Sequence, residues 1–459
     1  MITSLLLYLL PSCRHHAEAI LTKLGELYET GKIKSMPTPD LFNAVIGSWA
    51  RRSPFMPFDA PARCIAILKH MEGIADNKIS VDNGEIGDSS ELHNKWSRFQ
   101  VDDKTYQITF GAFRSALHCR TITESEHAFK IASEADGFLK HMINRAGGGR
   151  DEAIPSSEAY QIVAACYGKA IKMLAAEIQK EDEVLKEAGV AYIGIHYEGQ
   201  TEQLLSALQR LTSLLEEIET GQVHTIASTI SINAHTEALS AWASAKVIPD
   251  SEREALRILQ KIIELYEDGN QNVSPTAEMF NIVVNALLQE GSVSSIQEAS
   301  ELLKEQERLH FDGNPSCKPS IVAYRSMLNA FADDSEEVAS LLKRMTLLYE
   351  SNVVDELHAE RGNTSVGFNE IIQLWSEVDE SSEAASWAES MLSRVANDVY
   401  DTSSRCLDST QILRTKNFNA VIRAWLEAGK VHRAESLLEE MERFGDHHLL
   451  GDIKPDNLR

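Results

Sequence analysis

The chain has 459 residues, which is too long for one ordinary domain and predicts two to four domains or one repeat array. It contains only 24 glycines and 12 prolines, and this scarcity of turn-forming residues favours helices over a β fold with many turns. The 44 Lys and Arg residues against 69 Asp and Glu residues give a net charge of −25, which excludes phosphate binding over the whole surface and confines any nucleic-acid site to a local groove.

Eight segments of the chain repeat one pattern, in which a ring-bearing residue is followed seven positions later by a second large residue. Seven residues span two helical turns, so both side chains lie on one face and predict a helix that faces a core. The first residues of the eight patterns, called anchors below, are Phe42, Tyr106, Tyr160, His235, Phe280, Tyr324, Phe368 and Phe418. The sequence therefore predicts one helix that occurs eight times.

A second pattern follows the anchors and predicts a second helix. It has a small residue or valine, two apolar residues three and four positions later, and Met or Ile at the seventh position. It occurs at 64–71, 135–142, 255–262, 338–345 and 434–441, and a related copy at 17–24, which ends in Leu, has no complete helix before it. Five positions before four of the anchors stand Pro37, Pro155, Pro275 and Pro319, which end one helix and begin the next. The unit is therefore a helical hairpin, and units that bury one face only against their neighbours stack into a solenoid.

The spacing of the anchors divides the chain into regions of different regularity. Residues 37–222 hold divergent hairpins with insertions, and residues 223–459 hold more regular hairpins in an array that we expect to be truncated at its C-terminus. Residues 1–36 are expected to be a partial first repeat, namely its second helix, or a degenerate targeting segment. An insertion of obscure role, rich in Ala, Glu and Lys, occupies residues 172–203.

The last predicted hairpin carries the most specific motif in the chain. Its first helix opens with Phe418-Asn419, its second contains Ala434-Glu435 and Met441-Glu442, and Ile453-Lys454-Pro455-Asp456 closes the unit. These residues resemble the pentatricopeptide repeat family, in its P-type form with lengthened repeats. A tetratricopeptide-like solenoid is the alternative, but its characteristic spacing of Trp, Leu-Gly and Tyr early in the first helix is missing.

The resemblance implies an all-α fold, a right-handed superhelical solenoid of stacked helical hairpins. It further implies binding of single-stranded RNA, one base per hairpin, in mitochondrial or plastid RNA processing, stability or translation. Other proteins recruited to the RNA are further expected partners, and no membrane association is expected. The sequence shows no clear transit peptide. A second hypothesis, which the acidic charge suits, is a helical-repeat scaffold for protein–protein interaction without RNA binding.

The resemblance also implies two base-reading positions in each unit, which we call the register residues. The first position directly follows each anchor, at Asn43, Gln107, Gln161, Thr236, Asn281, Arg325, Asn369 and Asn419. The second lies four residues before the next anchor or in the closing motif, at Asp102, Ser156, Ser231, Thr276, Ser320, Thr364, Arg414 and Asp456. By family analogy, the Asn–Asp pairs imply uracil, and Asn281 with Ser320 implies cytosine. Polar residues at helix starts also serve as caps, so a capping role stays open for each of them.

Catalytic and metal-binding motifs are not found in the sequence. His-x-Glu triplets, such as His16-Ala-Glu18, His235-Thr-Glu237 and His358-Ala-Glu360, occur without any Cys-x-x-Cys pair, so a zinc deaminase is not supported. The Gly147–Gly149 run lacks the Lys and Ser/Thr of a phosphate-binding loop, and the six cysteines are scattered singly. We therefore predict neither an enzyme nor a metal or cofactor site.

Overall fold

The computed structural model describes residues 14–30, 32–33, 37–53, 56–82, 101–120, 122–187, 198–219, 232–270, 273–319, 321–331, 335–350, 372, 375, 382–402 and 415–445. Within these ranges the chain forms sixteen bounded α-helices and two short 3-10 turns, Asp151–Ala153 and Pro315–Cys317, and it forms no strand. The predicted all-α class is confirmed. The anchor Phe368 and the register residues Ser231, Ser320, Thr364, Asn369, Arg414 and Asp456 lie outside the described residues.

The helices follow the predicted order of first and second helices. The first half holds α1 (Arg14–Glu29), α2 (Pro39–Ala50), α3 (Ala60–Asp82), α4 (Asp103–Leu117), α5 (Ser125–Gly147), α6 (Ser157–Glu187), α7 (Glu198–Glu219), α8 (Ile232–Ser244) and α9 (Ser251–Glu267). The second half holds α10 (Ala277–Glu290), α11 (Val293–Phe311), α12 (Ile321–Ala330), α13 (Ser335–Glu350), α14 (Ser382–Thr402), α15 (Thr415–Glu427) and α16 (Val431–Gly445).

Contacts between helices divide the chain into two compact units, Met1–Ser274 and Pro275–Arg459. In the first unit each first helix packs on its hairpin partner and on the next first helix, in the order α2, α4, α6, α8. In the second unit α10 packs on α11 and α12, and α15 packs on α14 and α16. Within each unit, the hairpins named here thus contact their sequence neighbours, as stacked repeats do. The predicted boundary after residue 222 concerns the regularity of the repeats and stays a prediction.

The anchors form the core of each hairpin, as their spacing predicted. Each described anchor is at most 2% exposed. The small residues of the second helices are also buried, so the paired helices approach closely at Ala17, Cys64, Ala135, Ala255, Val338 and Ala434. The turn between the two helices is tight in two of the hairpins, where Gly291 and Gly429 adopt φ values of 77° and 70°. In this left-handed region glycine ends a helix without a steric penalty.

Three second helices lie where the second pattern is incomplete or absent, at α7, α11 and α14. In α7 the buried face is a ladder of leucines that includes Leu204, Leu208 and Leu211. The first part of the 172–203 insertion is not a separate element, because α6 runs without interruption from Ser157 to Glu187. The third hairpin is therefore built on a first helix of 31 residues.

Candidate nucleic-acid interface

The first pair of register residues meets at a threonine hydroxyl. Asp102 is the N-cap of α4 and accepts a 2.9 Å hydrogen bond from the backbone N–H of Thr105. The buried Thr105 hydroxyl oxygen lies 2.5 Å from Asp102 Oδ1 and 2.8 Å from Asn43 Oδ1. A hydroxyl carries one hydrogen and can donate to only one of these oxygens at a time. Asn43, from α2, and Asp102, before α4, are thereby coupled; we call this pair the Asn43–Asp102 site.

The second pair lies at one pocket between α4 and α6. Gln107 and Ser156 both line a cavity of about 100 Å³. Its apolar lining comes from Tyr106, Phe110, Met142, Ile154, Ala159 and Ile162, and its acidic lining comes from Asp103, Glu152 and Glu158. Gln107 Nε2 donates to Asp103 Oδ2 at 3.2 Å, and Ser156 Oγ accepts from the N–H of Ala159 at 3.3 Å. The pocket is thus lined by both hydrogen-bond acceptors and apolar side chains.

Three second-position register residues act as helix caps. Besides Asp102 and Ser156, Thr276 accepts from the N–H of Met279 at 3.4 Å at the start of α10. The capping interpretation therefore holds for these three positions, and it leaves their remaining oxygen lone pairs available to a ligand.

First-position register residues differ in exposure. Gln107 and Arg325 are exposed, whereas Gln161, Thr236 and Asn281 are half-buried and Asn419 is buried. The Thr236 hydroxyl donates to the carbonyl of Ile232 at 2.9 Å, within its own helix. The most accessible first-position residue in the first unit is therefore Gln107.

Three cations on the first helices of the first unit have partners within the protein. Arg114 forms a 2.6 Å ion pair with Glu158, and Lys172 forms one of 2.9 Å with Glu237. Lys169 donates to the carbonyl of Leu117 at 2.6 Å, and burial lowers its pKa. These three cations are already paired within the protein, which limits the electrostatic attraction that this face offers to phosphate.

Thr105 is the site residue that sequence reasoning missed. The available signal was its position three residues after Asp102, where the backbone N–H commonly donates to the side chain of an N-cap residue. That spacing predicts the bond to Asp102. The contact with Asn43 spans two repeats and follows only from the stacking of α2 on α4.

The described residues also bear on metal sites, membrane spans and reactive thiols. No group of three or more His, Cys, Asp or Glu side chains among them could hold a metal ion. No helix in this part of the chain is long and apolar enough to cross a membrane. Cys64, Cys119, Cys166 and Cys317 are buried and form no disulfide within the described ranges, and burial raises the pKa of Cys166 to about 12.

Comparison with known proteins identifies one repeat. The family model of the PPR repeat, the pentatricopeptide repeat, matches residues 417–446, which contain almost all of α15 and α16. No curated protein sequence matches the chain. A similar solved structure is the crystal structure of the pentatricopeptide repeat protein PPR10 from maize, with 14% identity, 96% of this chain and 78% of that chain covered, and a TM-score of 0.25. A TM-score of 0.25 is too low to show a shared overall fold. The repeat type is therefore identified from the matched segment at 417–446.

Proposed function

We propose that this chain, which carries a pentatricopeptide repeat at 417–446, binds single-stranded RNA sequence-selectively through its register residues. One observation carries the proposal. Asn43 and Asp102 lie in different repeats, yet both contact the hydroxyl of Thr105. A base edge that donates to one of the two oxygens leaves the hydroxyl proton to the other, so the pair can respond as one site.

The pocket of Gln107 and Ser156 supports the proposal at the next junction. Its apolar side chains suit the face of a base, and its amide, hydroxyl and carboxylate groups suit a base edge that carries N–H donors. Because the neighbouring cations are paired internally, we expect base contacts to contribute more to affinity than phosphate contacts do. The affinity should accordingly depend less steeply on salt than that of a basic RNA-binding protein.

In the cell, we propose a role in organelle RNA processing, stability or translation, in mitochondria or plastids. The protein would act by occupying its RNA site or by recruiting other proteins to it, without catalysis of its own. A protein-interaction scaffold is the second candidate. It is favoured by the net charge of −25 and by the acidic side chains around the pocket, which repel phosphate.

The proposal is tested by selecting ligands from a randomised single-stranded RNA pool at about 150 mM salt, a concentration at which nonspecific phosphate contacts are weakened. We expect a short enriched motif for the wild-type protein. Asn43→Ala should abolish the base preference at one position of that motif. Asn144→Ala, an exposed residue at the end of the second helix α5, is the matched control and should leave the whole motif unchanged.

Two results would contradict the proposal. The first is absence of RNA binding by wild-type protein whose circular dichroism shows intact helices, and this result would favour the scaffold. The second is a motif that Asn43→Ala and Asn144→Ala change equally, because the register would then have no special part in reading bases.

A further inference from the structure

A buried glutamate joins the first two hairpins through the hydroxyl of an anchor tyrosine. Glu72, on the second helix α3, is 3% exposed. It accepts a 2.6 Å hydrogen bond from Tyr106, the anchor of the following repeat. Its second oxygen lies 2.8 Å from His141 Nε2, and Arg145 Nε lies 3.2 Å from its first oxygen. One carboxylate thus connects three helices from two successive repeats, an arrangement that we call the tyrosine clamp.

The same clamp occurs a second time, in the other compact unit. Glu307, on the second helix α11, accepts a hydrogen bond from the hydroxyl of Tyr324, the anchor of the next repeat. Arg344, on the following second helix α13, lies 2.6 Å from the same glutamate. The two clamps use corresponding helices. The first clamp joins α3, α4 and α5, and the second joins α11, α12 and α13 in the same order.

The two clamps also share their sequence positions. Each glutamate stands eight residues after the small residue of its helix, and each basic partner stands six residues after the small residue or valine of the next second helix. The glutamate spacings are Cys64 to Glu72 and Ala299 to Glu307, and the partner spacings are Ala135 to His141 and Val338 to Arg344. Recurrence at fixed positions in separate units marks the clamp as a feature of the repeat.

The third anchor tyrosine shows what happens without the glutamate. Eight residues after Ala135 the chain has Ile143 in place of a carboxylate. The hydroxyl of the next anchor, Tyr160, is buried and has no hydrogen-bond partner among the described residues. Burial raises its pKa to about 12. At Phe42 and Phe280, where the anchor has no hydroxyl, the corresponding preceding positions hold Gly25 and Ile263.

We propose that Glu72 and Glu307 are positioning residues for base reading, and this inference rests on the proposed function. Each fixes the hydroxyl of an anchor, and the register residues Gln107 and Arg325 directly follow those anchors in the chain. At the first junction the clamped Tyr106 also follows Thr105, whose hydroxyl holds the Asn43–Asp102 site together. The clamp therefore sets the relative position of two repeats at the point where one base is read.

The test removes single hydroxyl groups and keeps every ring in place. Tyr106→Phe breaks one clamp, and Tyr160→Phe is the matched control because its hydroxyl has no partner in the described part of the chain. Loss of a hydrogen bond to a buried carboxylate should accelerate amide hydrogen exchange in 103–117 at least about tenfold. The control should leave exchange in 157–170 unchanged or slower, since it removes a buried unsatisfied group. Tyr324→Phe should reproduce the first effect in 321–330.

The same variants are then passed through the RNA selection. Tyr106→Phe should weaken the preference at the one motif position that Asn43→Ala abolishes, and Tyr160→Phe should leave that position intact. A merely stabilising clamp would lower affinity with the motif unchanged, and that result would overturn the inference. The inference would also be overturned if Tyr106→Phe changed exchange in 103–117, relative to wild type, no more than Tyr160→Phe changes exchange in 157–170. If the wild-type protein binds no RNA, the proposed function fails and the reading role with it, whereas a failure of the clamp alone leaves wild-type binding intact.

Discussion

The ion pair between Asp136 and Arg210 offers the sharpest test of how these repeats are held together. Asp136, on α5, is 5% exposed. Arg210, on α7, donates to it from Nη2 to Oδ1 at 2.7 Å and from Nε to Oδ2 at 3.1 Å. Arg210 also contacts Glu217 at 2.5 Å. Burial alone would raise the pKa of Asp136, but the hydrogen bonds from Arg210 and Lys140 outweigh it and lower that pKa. The carboxylate is therefore held in its charged form.

Asp136→Ala should destabilise the junction between the second and third hairpins. Breaking a buried pair by removing one partner costs about 3–5 kcal/mol, because the other charge is left without compensation. Arg210 keeps Glu217, so we expect the lower end, about 3 kcal/mol. At about 1.4 kcal/mol per factor of ten, this corresponds to more than about a hundredfold faster amide exchange in α5 and α7.

Native-state hydrogen exchange is the appropriate assay, because a repeat array need not unfold in one step. The midpoint of global unfolding can therefore miss a local loss of stability. Glu158→Ala is the control. It breaks the pair with Arg114, whose side chains are 53% and 51% exposed, and should cost about 1 kcal/mol or less. Asp136→Ala combined with Arg210→Met should recover part of the lost protection. Equal effects of the two alanine variants would refute the reasoning, since burial would then not set the energy of the pair.

Three further predictions follow from the burial and pairing of single residues. Leu208→Ala, at a fully buried position, should cost about 2–5 kcal/mol in α7, whereas Leu205→Ala on the same helix, 37% exposed, should cost less than about 1 kcal/mol; urea titration with local exchange compares them. Cys166, buried with a raised pKa, should react with iodoacetamide at the rate of local opening, and rapid labelling of folded protein would contradict this. Because the pKa of Asp136 is lowered in the folded state, its stabilisation should persist above about pH 4 and be lost as the pH falls through the folded pKa. Amide exchange in α5, measured over a series of acidic pH values, checks this. Asp136→Asn should abolish that part of the pH dependence.

The hairpins could be predicted because their signals are local. A ring and a second large residue seven positions apart define a helix face without any knowledge of neighbours, and Phe42 with Trp49 forms such a buried pair. The second helix α7 was harder to predict. Its leucines can fill the same space as a small residue followed by Met, so packing preserved the fold where the motif was lost.

The candidate site was predictable only in part. The family resemblance paired Asn43 with Asp102 and Gln107 with Ser156. The structure places the first pair at one threonine hydroxyl and the second pair at one pocket. The hydroxyl that links the first pair and the acidic side chains around the second depend on distances between repeats. Sequence spacing does not encode these distances. The pairing of Arg114 with Glu158 shows this most clearly, because an apparently free cation in the sequence is neutralised across two helices.

In the long helix α6, the length of the helix does not affect the position of its anchor and register residue. At about 1.5 Å per residue its 31 residues extend about 46 Å, while its anchor Tyr160 and the register residue Gln161 lie within its first two turns. Lengthening at the distal end therefore leaves the end that carries Tyr160 and Gln161 in place. Extra chain can be added there without moving these two residues. A protein engineer can use the same end of α6 to attach a reporter domain.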